Sequence, residues 1–363
     1  MYELLYSGFD TLYVAFQGAL PKEAREILAT AKERAKEERH PVLTSIGRGG
    51  VELHVKETGA NGGYAYVCDT GPLGETWLFK NNGDPDQWNI FVNVHAKSLL
   101  VAGYEETRRR LFQTLKYMDC QICDHAINRI DYAMDFLAPD FVLDLDLFIT
   151  PPRTNVKPFW GDKSSPNIGR TSAVFVNRRI QSVTIGEANL RQVIVYDKRR
   201  DSIDKQKYYW FKTWGIDPKD RSKVVWRVEL RAGKKELKGH FRIASFDDIE
   251  AAIGDVYKIM LEEIRYISEH QTDSNFTRQE LHPMWRAVSD HVQSAMSDRQ
   301  SGLTRDQVRE LDRREAIEQA TTMISAYAIN LGVATGLSDE DIFLGLPRLV
   351  TQVLSERKIG RAH

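Results

Sequence analysis

The chain has 363 residues, 42% of them hydrophobic and 10% aromatic, enough apolar material for a sizeable core. Its 50 Lys and Arg nearly cancel its 51 Asp and Glu, which excludes a uniformly cationic binder of polyanions. That average hides a division: residues 1–150 and 243–363 each stand at net −7, whereas 151–242 carry 22 basic against 9 acidic side chains, the electrostatics of a polyanion-binding surface or of a solvated basic face.

Taken in chain order, residues 4–18 alternate as a strand and stop at Gly18. Pro21 then opens a charged helix over 21–39. Short strands follow at 51–57, 63–68, 76–80 and 89–95, separated by Gly and Asn clusters. A helix is predicted over 103–119, then a strand over 127–136 and a loop rich in Pro, Asn, Gly and Ser over 150–170. Strands return at 171–178, 181–186, 191–198 and 223–231. From 246 onward the periodicity is helical, over 246–270, 277–297, 304–330 and 338–357. The fold class expected is α+β: an antiparallel-sheet core over 1–245 with flanking helices, and a helical C-terminal region over 246–363. That region is expected to serve oligomerisation, as in a homodimer, or partner docking.

The opening MYELLYSGFDTLYVAF has no basic stretch ahead of an apolar one, so no secretory signal is expected. No apolar run of about 18 residues marks a membrane span. The 3 cysteines make no disulfide framework, and a reducing cytoplasm is the expected setting. Cys120 and Cys123 form a C-x-x-C near His125, but a structural zinc site takes four ligands and Cys68 is distant, so packed thiols are expected. Neither a phosphate-binding G-x-x-x-x-G-K-[ST] loop nor a G-x-S-x-G elbow is present.

Three strands carry candidate chemistry. In NRIDYAMDF, Ile130, Tyr132, Met134 and Phe136 share one face, and Arg129, Asp131, Ala133 and Asp135 share the other. Asp is disfavoured in strands, so two on one face need a reason: a metal site, or a solvated face partnered by Arg129. In RQVIVYDKRR, Tyr196 and Lys198 are expected on one side of the strand. A phenol is a poor nucleophile near neutrality without help from a cation, and Lys198 is placed to give it or to hold a phosphate. The plain alternative is a Tyr ring closing a strand end. In VVWRVELR, Trp226, Val228 and Leu230 face the core while Arg227, Glu229 and Arg231 face away. These make either a salt-bridge ladder or a metal-binding carboxylate between two phosphate-binding arginines.

In this order the three strands resemble the trans-acting rolling-circle replication initiators of plasmids and phages, and the related relaxases. RQVIVYDKRRD followed by VWRVELR is the most specific part. The resemblance implies a metal-dependent nickase and strand transferase that initiates replication through a 5′-phosphotyrosine. It casts Tyr196 as nucleophile, with Lys198, Arg129 and Arg227 as its basic helpers. Asp131, Asp135 and Glu229 would hold Mg²⁺ or Mn²⁺. No His-hydrophobic-His pair accompanies them; His54 and His95 stand alone, so a carboxylate site is expected. DNA is the expected partner, along Arg191, Arg199, Arg200, Lys205, Lys207, Tyr208, Tyr209 and Arg231, with a host helicase as a further one. Tyr208 and Tyr209 are rival nucleophiles or base-stacking residues. The alternative functions are a non-catalytic DNA-binding regulator and a metal-dependent nuclease that uses water.

Overall fold

A computed structural model describes residues 2–71, 73–160, 180–269 and 278–300, with scattered positions between 317 and 345. Strand β1 (Glu3–Ala19) is long because its alternation holds until Gly18 and Pro21 break it. Helix α1 (Lys22–Glu38) follows and buries Ala24, Leu28, Ala31 and Ala35 at helical spacing. Then come β2 (Val42–Ile46), β3 (Val51–Val55), β4 (Tyr64–Asp69), β5 (Thr76–Lys80) and β6 (Ile90–Val94). Helix α2 spans Ala96–Tyr117, beginning earlier than the sequence suggests, because it continues across a break at Gly103 (φ 75°). Strand β7 covers Gln121–Leu137.

Next are β8 (Phe148–Ile149), β9 (Val156–Trp160), β10 (Ile180–Gly186) and β11 (Arg191–Asp197). Two short helices, α3 (Lys198–Asp204) and α4 (Tyr209–Trp214), lead into β12 (Val225–Gly233) and a π-helical turn, Lys235–His240. Helix α5 (Phe246–Glu263) opens with a reciprocal capping box between Ser245 and Asp248. A short β13 (Arg265–Tyr266) and α6 (Pro283–Ala295) follow. The strand expected at 171–178 lies outside the described residues, as do most positions of the helices expected at 304–330 and 338–357.

The main sheet has 11 strands in the order β2-β3-β4-β5-β6-β1-β7-β12-β11-β10-β9, and its ladders are antiparallel. The α+β class with an antiparallel core is therefore observed. β1 and β7 form its spine, with register shifts that include one between Phe9 and Thr11. One face of β7 and β12 buries Ile130, Tyr132, Met134, Phe136, Trp226, Val228 and Leu230. α5 packs there through Tyr257, whose ring lies 5.9 Å from that of Tyr132 and whose hydroxyl lies 3.5 Å from the Ile130 carbonyl; Ile253 and Val256 of the same helix are buried.

The chain divides into two compact units, Met1–Leu303 and Thr304–His363. The division expected at 245 thus falls inside the first unit. The apolar stripes of α5 and α6 are what close the sheet's core, so these helices are part of it. Among the described residues no helix is long and apolar enough to cross a membrane.

Candidate active site

The opposite face of the same strands is polar, and its register arranges it in rows. Tyr196 on β11 pairs with Arg227 on β12, Arg227 with Asp135 on β7, and Asp135 with Tyr6 on β1. The neighbouring row runs Ile194, Glu229, Ala133, Gly8. The next runs Gln192, Arg231, Asp131, Thr11. Glu229 is the charged residue of its row and lies between two charged rows.

Arg227 is wholly buried. Its Nε and Nη2 donate to the two oxygens of Asp135 at 2.5 and 2.8 Å, and its Nη1 donates to Asp10 at 2.6 Å. The Trp214 indole N–H adds a bond to Asp135 at 2.8 Å. The guanidinium also lies over the Trp210 ring, 4.2 Å from its centre. In the third row, Asp131 takes Arg129 and Arg231 as partners. Arg231 also donates to Gln192 at 2.7 Å and to Glu229 at 3.1 Å.

Tyr196 lies between a base and a cation. Its hydroxyl donates to Glu229 Oε2 at 3.4 Å and accepts from Lys198 Nζ at 3.3 Å. Lys198 is not on the strand: β11 ends at Asp197, and Lys198 is the first residue of α3, capped by the Asp197 side chain. Its ammonium returns to the phenol from the helix side. Burial pushes Glu229 up to about 7, with the Asp10 and Asp131 carboxylates adding to the rise. Burial, helped by the Arg227 charge, pushes Lys198 down to about 8. Burial also holds the Tyr196 phenol well above its usual value. Acid and base thus approach each other across one phenol oxygen, the arrangement expected of a proton-transfer site.

Tyr196 and Glu229 open on a cavity of about 440 Å³, lined on the sheet side also by Phe159, Gln181, Ser182 and Ile194. Asp197 at the end of β11, with Arg200, Asp201, Asp204 and Lys205 from α3 and the turn after it, lines the other side.

The remaining sequence-predicted residues divide. Arg200 pairs with Asp204 at 3.1 Å and Lys205 with Asp201 at 2.5 Å, both at the rim. Arg199 turns away to the carbonyls of Pro218 and Asp220. Arg191 bridges Glu236 and Glu263, tying β11 to the helices behind it. Lys207 and Tyr208 lie between α3 and α4, with Tyr208 exposed. Tyr209 is half-buried with the Lys97 ammonium over its ring. Cys120 is half-buried, its thiol pushed up to about 12 by burial, and Cys123 is exposed.

No family model and no curated protein matches this chain. Among solved structures it is similar to the rolling circle replication initiator protein from Geobacillus stearothermophilus. The identity is 15% and the TM-score 0.43, over 80% of this chain and 97% of that one. A likeness at this level carries no argument about chemistry, which rests on the site itself.

The residue the sequence reading missed is Asp10. It sits at the register shift between Phe9 and Thr11, which turns its carboxylate to Arg227. A lone Asp in an otherwise apolar strand was the available signal. Trp214 offered none, because the α4 segment reads equally well as an apolar loop.

As the side chains stand, Asp131, Asp135 and Glu229 do not form a cation cage. Every one of their oxygens already accepts from a guanidinium, the Trp214 indole or the Tyr196 hydroxyl. Among the described residues no group of three or more His, Cys, Asp or Glu is placed to hold a metal ion. No step below therefore runs through one.

Proposed function

We propose that this chain is a DNA nickase and strand transferase of the replication-initiation kind, with Tyr196 as its nucleophile. The observation that carries the reading is the Glu229–Tyr196–Lys198 arrangement, with Tyr196 and Glu229 in the wall of an open cavity and Lys198 buried behind them. Glu229 takes the phenol proton as the Tyr196 oxygen attacks the phosphorus of a DNA strand. Lys198 holds the oxygen as its charge develops. The bond from phosphorus to the 3′ oxygen breaks, the proton passes from Glu229 to that oxygen, and a free 3′-OH remains beside a 5′-phosphotyrosine. The reverse sequence religates the strand, because the phosphodiester energy is kept in the tyrosine link.

Arg227 does not touch the substrate in this scheme. It fixes the positions of Asp135 and Asp10; the Asp10 carboxylate raises the proton affinity of Glu229, and the Arg227 charge works against that rise. The basic excess of 151–242 supplies the attraction for a phosphate chain.

The test is to incubate the purified chain with single-stranded and supercoiled DNA and look for a covalent adduct on a denaturing gel. The native chain forms it and Tyr196→Phe does not. An adduct at full yield in Tyr196→Phe, mapped by peptide mass to Tyr208 or Tyr209, overturns the assignment. Binding without a nick points to a non-catalytic regulator, and a nick without an adduct points to a water-using nuclease. The same assay with EDTA against Mn²⁺ decides whether the reaction needs a cation.

A further inference from the structure

The row that holds Tyr196 does not end there. Tyr196 pairs with Ser182 on β10, and Ser182 with Phe159 on β9. Phe159, Ser182, Tyr196, Arg227, Asp135 and Tyr6 thus form one line across six strands. Phe159 lies two strands from the tyrosine, about 10 Å away. Its ring is 51% exposed, although it lines the same cavity as Tyr196 and Glu229. A large aromatic left open at the mouth of this cavity offers a face on which a planar ligand can stack.

The charges around the cavity say which ligand. Asp204 is neutralised by Arg200 and Asp201 by Lys205. With Asp197 beside them, the α3 side carries three carboxylates against two cations and is not a phosphate cradle. It suits a flat, neutral group whose edge can hydrogen-bond, and Gln181 and Ser182 offer donors and acceptors beside the ring. Lys157 is exposed one alternation along β9, opposite Thr184, on the Phe159 side of the strand. It is placed for the phosphate chain that such a group would hang from. Pro158 between them is tolerated because β9 is the sheet's edge strand among the described residues.

Resting on the function proposed above, we infer that this cavity takes one unpaired base of the DNA strand that Tyr196 attacks. The base stacks on Phe159 and presents its edge to Gln181 and Ser182. Phe159 is thus a substrate-positioning residue. It holds the base so that a phosphate of the same or an adjacent nucleotide lies at the phenol. A duplex base, already stacked and paired, does not fit this role, so the site selects single-stranded substrate.

The experiment compares two probes of equal length: a fluorescein-labelled oligo-dT strand and a strand of abasic deoxyribose phosphates. Anisotropy titrations use the full chain and its Phe159→Ala and Phe159→Trp variants. Phe159→Ala is expected to weaken oligo-dT binding about 5- to 150-fold, the loss typical of one stacked base. It should leave binding of the abasic strand unchanged, and Phe159→Trp should restore oligo-dT binding. Equal losses on both probes, or no loss on either, overturn the base platform. If the native chain binds and forms its adduct while Phe159→Ala behaves identically, only this inference falls. If the native chain binds neither probe, the proposed function falls with it.

Discussion

Arg227→Met is the perturbation that most directly tests the electrostatic core of the site. The substitution keeps much of the side-chain length but removes three donated hydrogen bonds and the cation that neutralises Asp135 and Asp10. Arg227 and Asp135 are both fully buried, so water cannot take the guanidinium's place. Breaking a buried pair by removing one partner typically costs about 3–5 kcal/mol, because it strands an uncompensated charge. Asp10 keeps some exposure and can relax toward solvent, so most of the cost falls on Asp135. Urea unfolding at neutral pH, followed by tryptophan fluorescence, reads the loss. Adding Asp135→Asn to the variant removes the stranded charge and should recover at least half of it. The gap between native and Arg227→Met should also narrow as pH falls, because the stranded carboxylate of the variant then takes up a proton. A loss below about 1 kcal/mol would place the pair among solvent-screened ion pairs and refute the reasoning.

Three other outcomes are expected. Glu229→Gln should slow single-turnover adduct formation about 10²- to 10⁴-fold, the range for losing a general base, and an unchanged rate rules Glu229 out of that role. The pH dependence of the same step should be bell-shaped. Glu229 must be ionised to accept the proton, so the rate rises through about 7, and Lys198 must keep its proton to hold the phenol oxygen, so it falls through about 8. A rate that climbs steadily past pH 9 contradicts the lysine's part. Ser245→Ala removes the cap of α5, which should cost about 1 kcal/mol in urea unfolding while adduct formation per folded molecule stays as in the native chain.

Much of the fold was readable because its strands alternate locally. The faces of 127–136 and 223–231 follow from period two alone, and both are as expected, with the apolar set buried and the charged set on the other side. Which charges meet was not readable. Asp135 meets Arg227, and Asp131 meets Arg231, only because β7 and β12 pair in one register, a contact nearly 100 residues long-range. Tyr196 with Lys198 was legible as a neighbourhood but not as a geometry: the strand-to-helix switch at Asp197 brings the ammonium back to the phenol. β9 lies within the stretch that reads as loop, since Pro and Asn mark turns but are also tolerated on a sheet edge. The helices after 246 read as a separate region because helical periodicity reveals an apolar face, not what covers it.

The Arg227–Asp10 bond joins residues 217 positions apart. Its two halves therefore leave the ribosome at very different times. A nascent chain that ends before Val225 already contains Tyr196 and Lys198, but not Glu229. Its Asp131 and Asp135 have not yet met Arg231 and Arg227, and the β7 edge that β12 will cover is open. Tyr196, the proposed nucleophile, is made early and Glu229, its proposed base, late, so a chain that ends before Val225 lacks the Glu229–Tyr196 contact. The joining of the charged rows of β7 and β11 then waits for the emergence of β12.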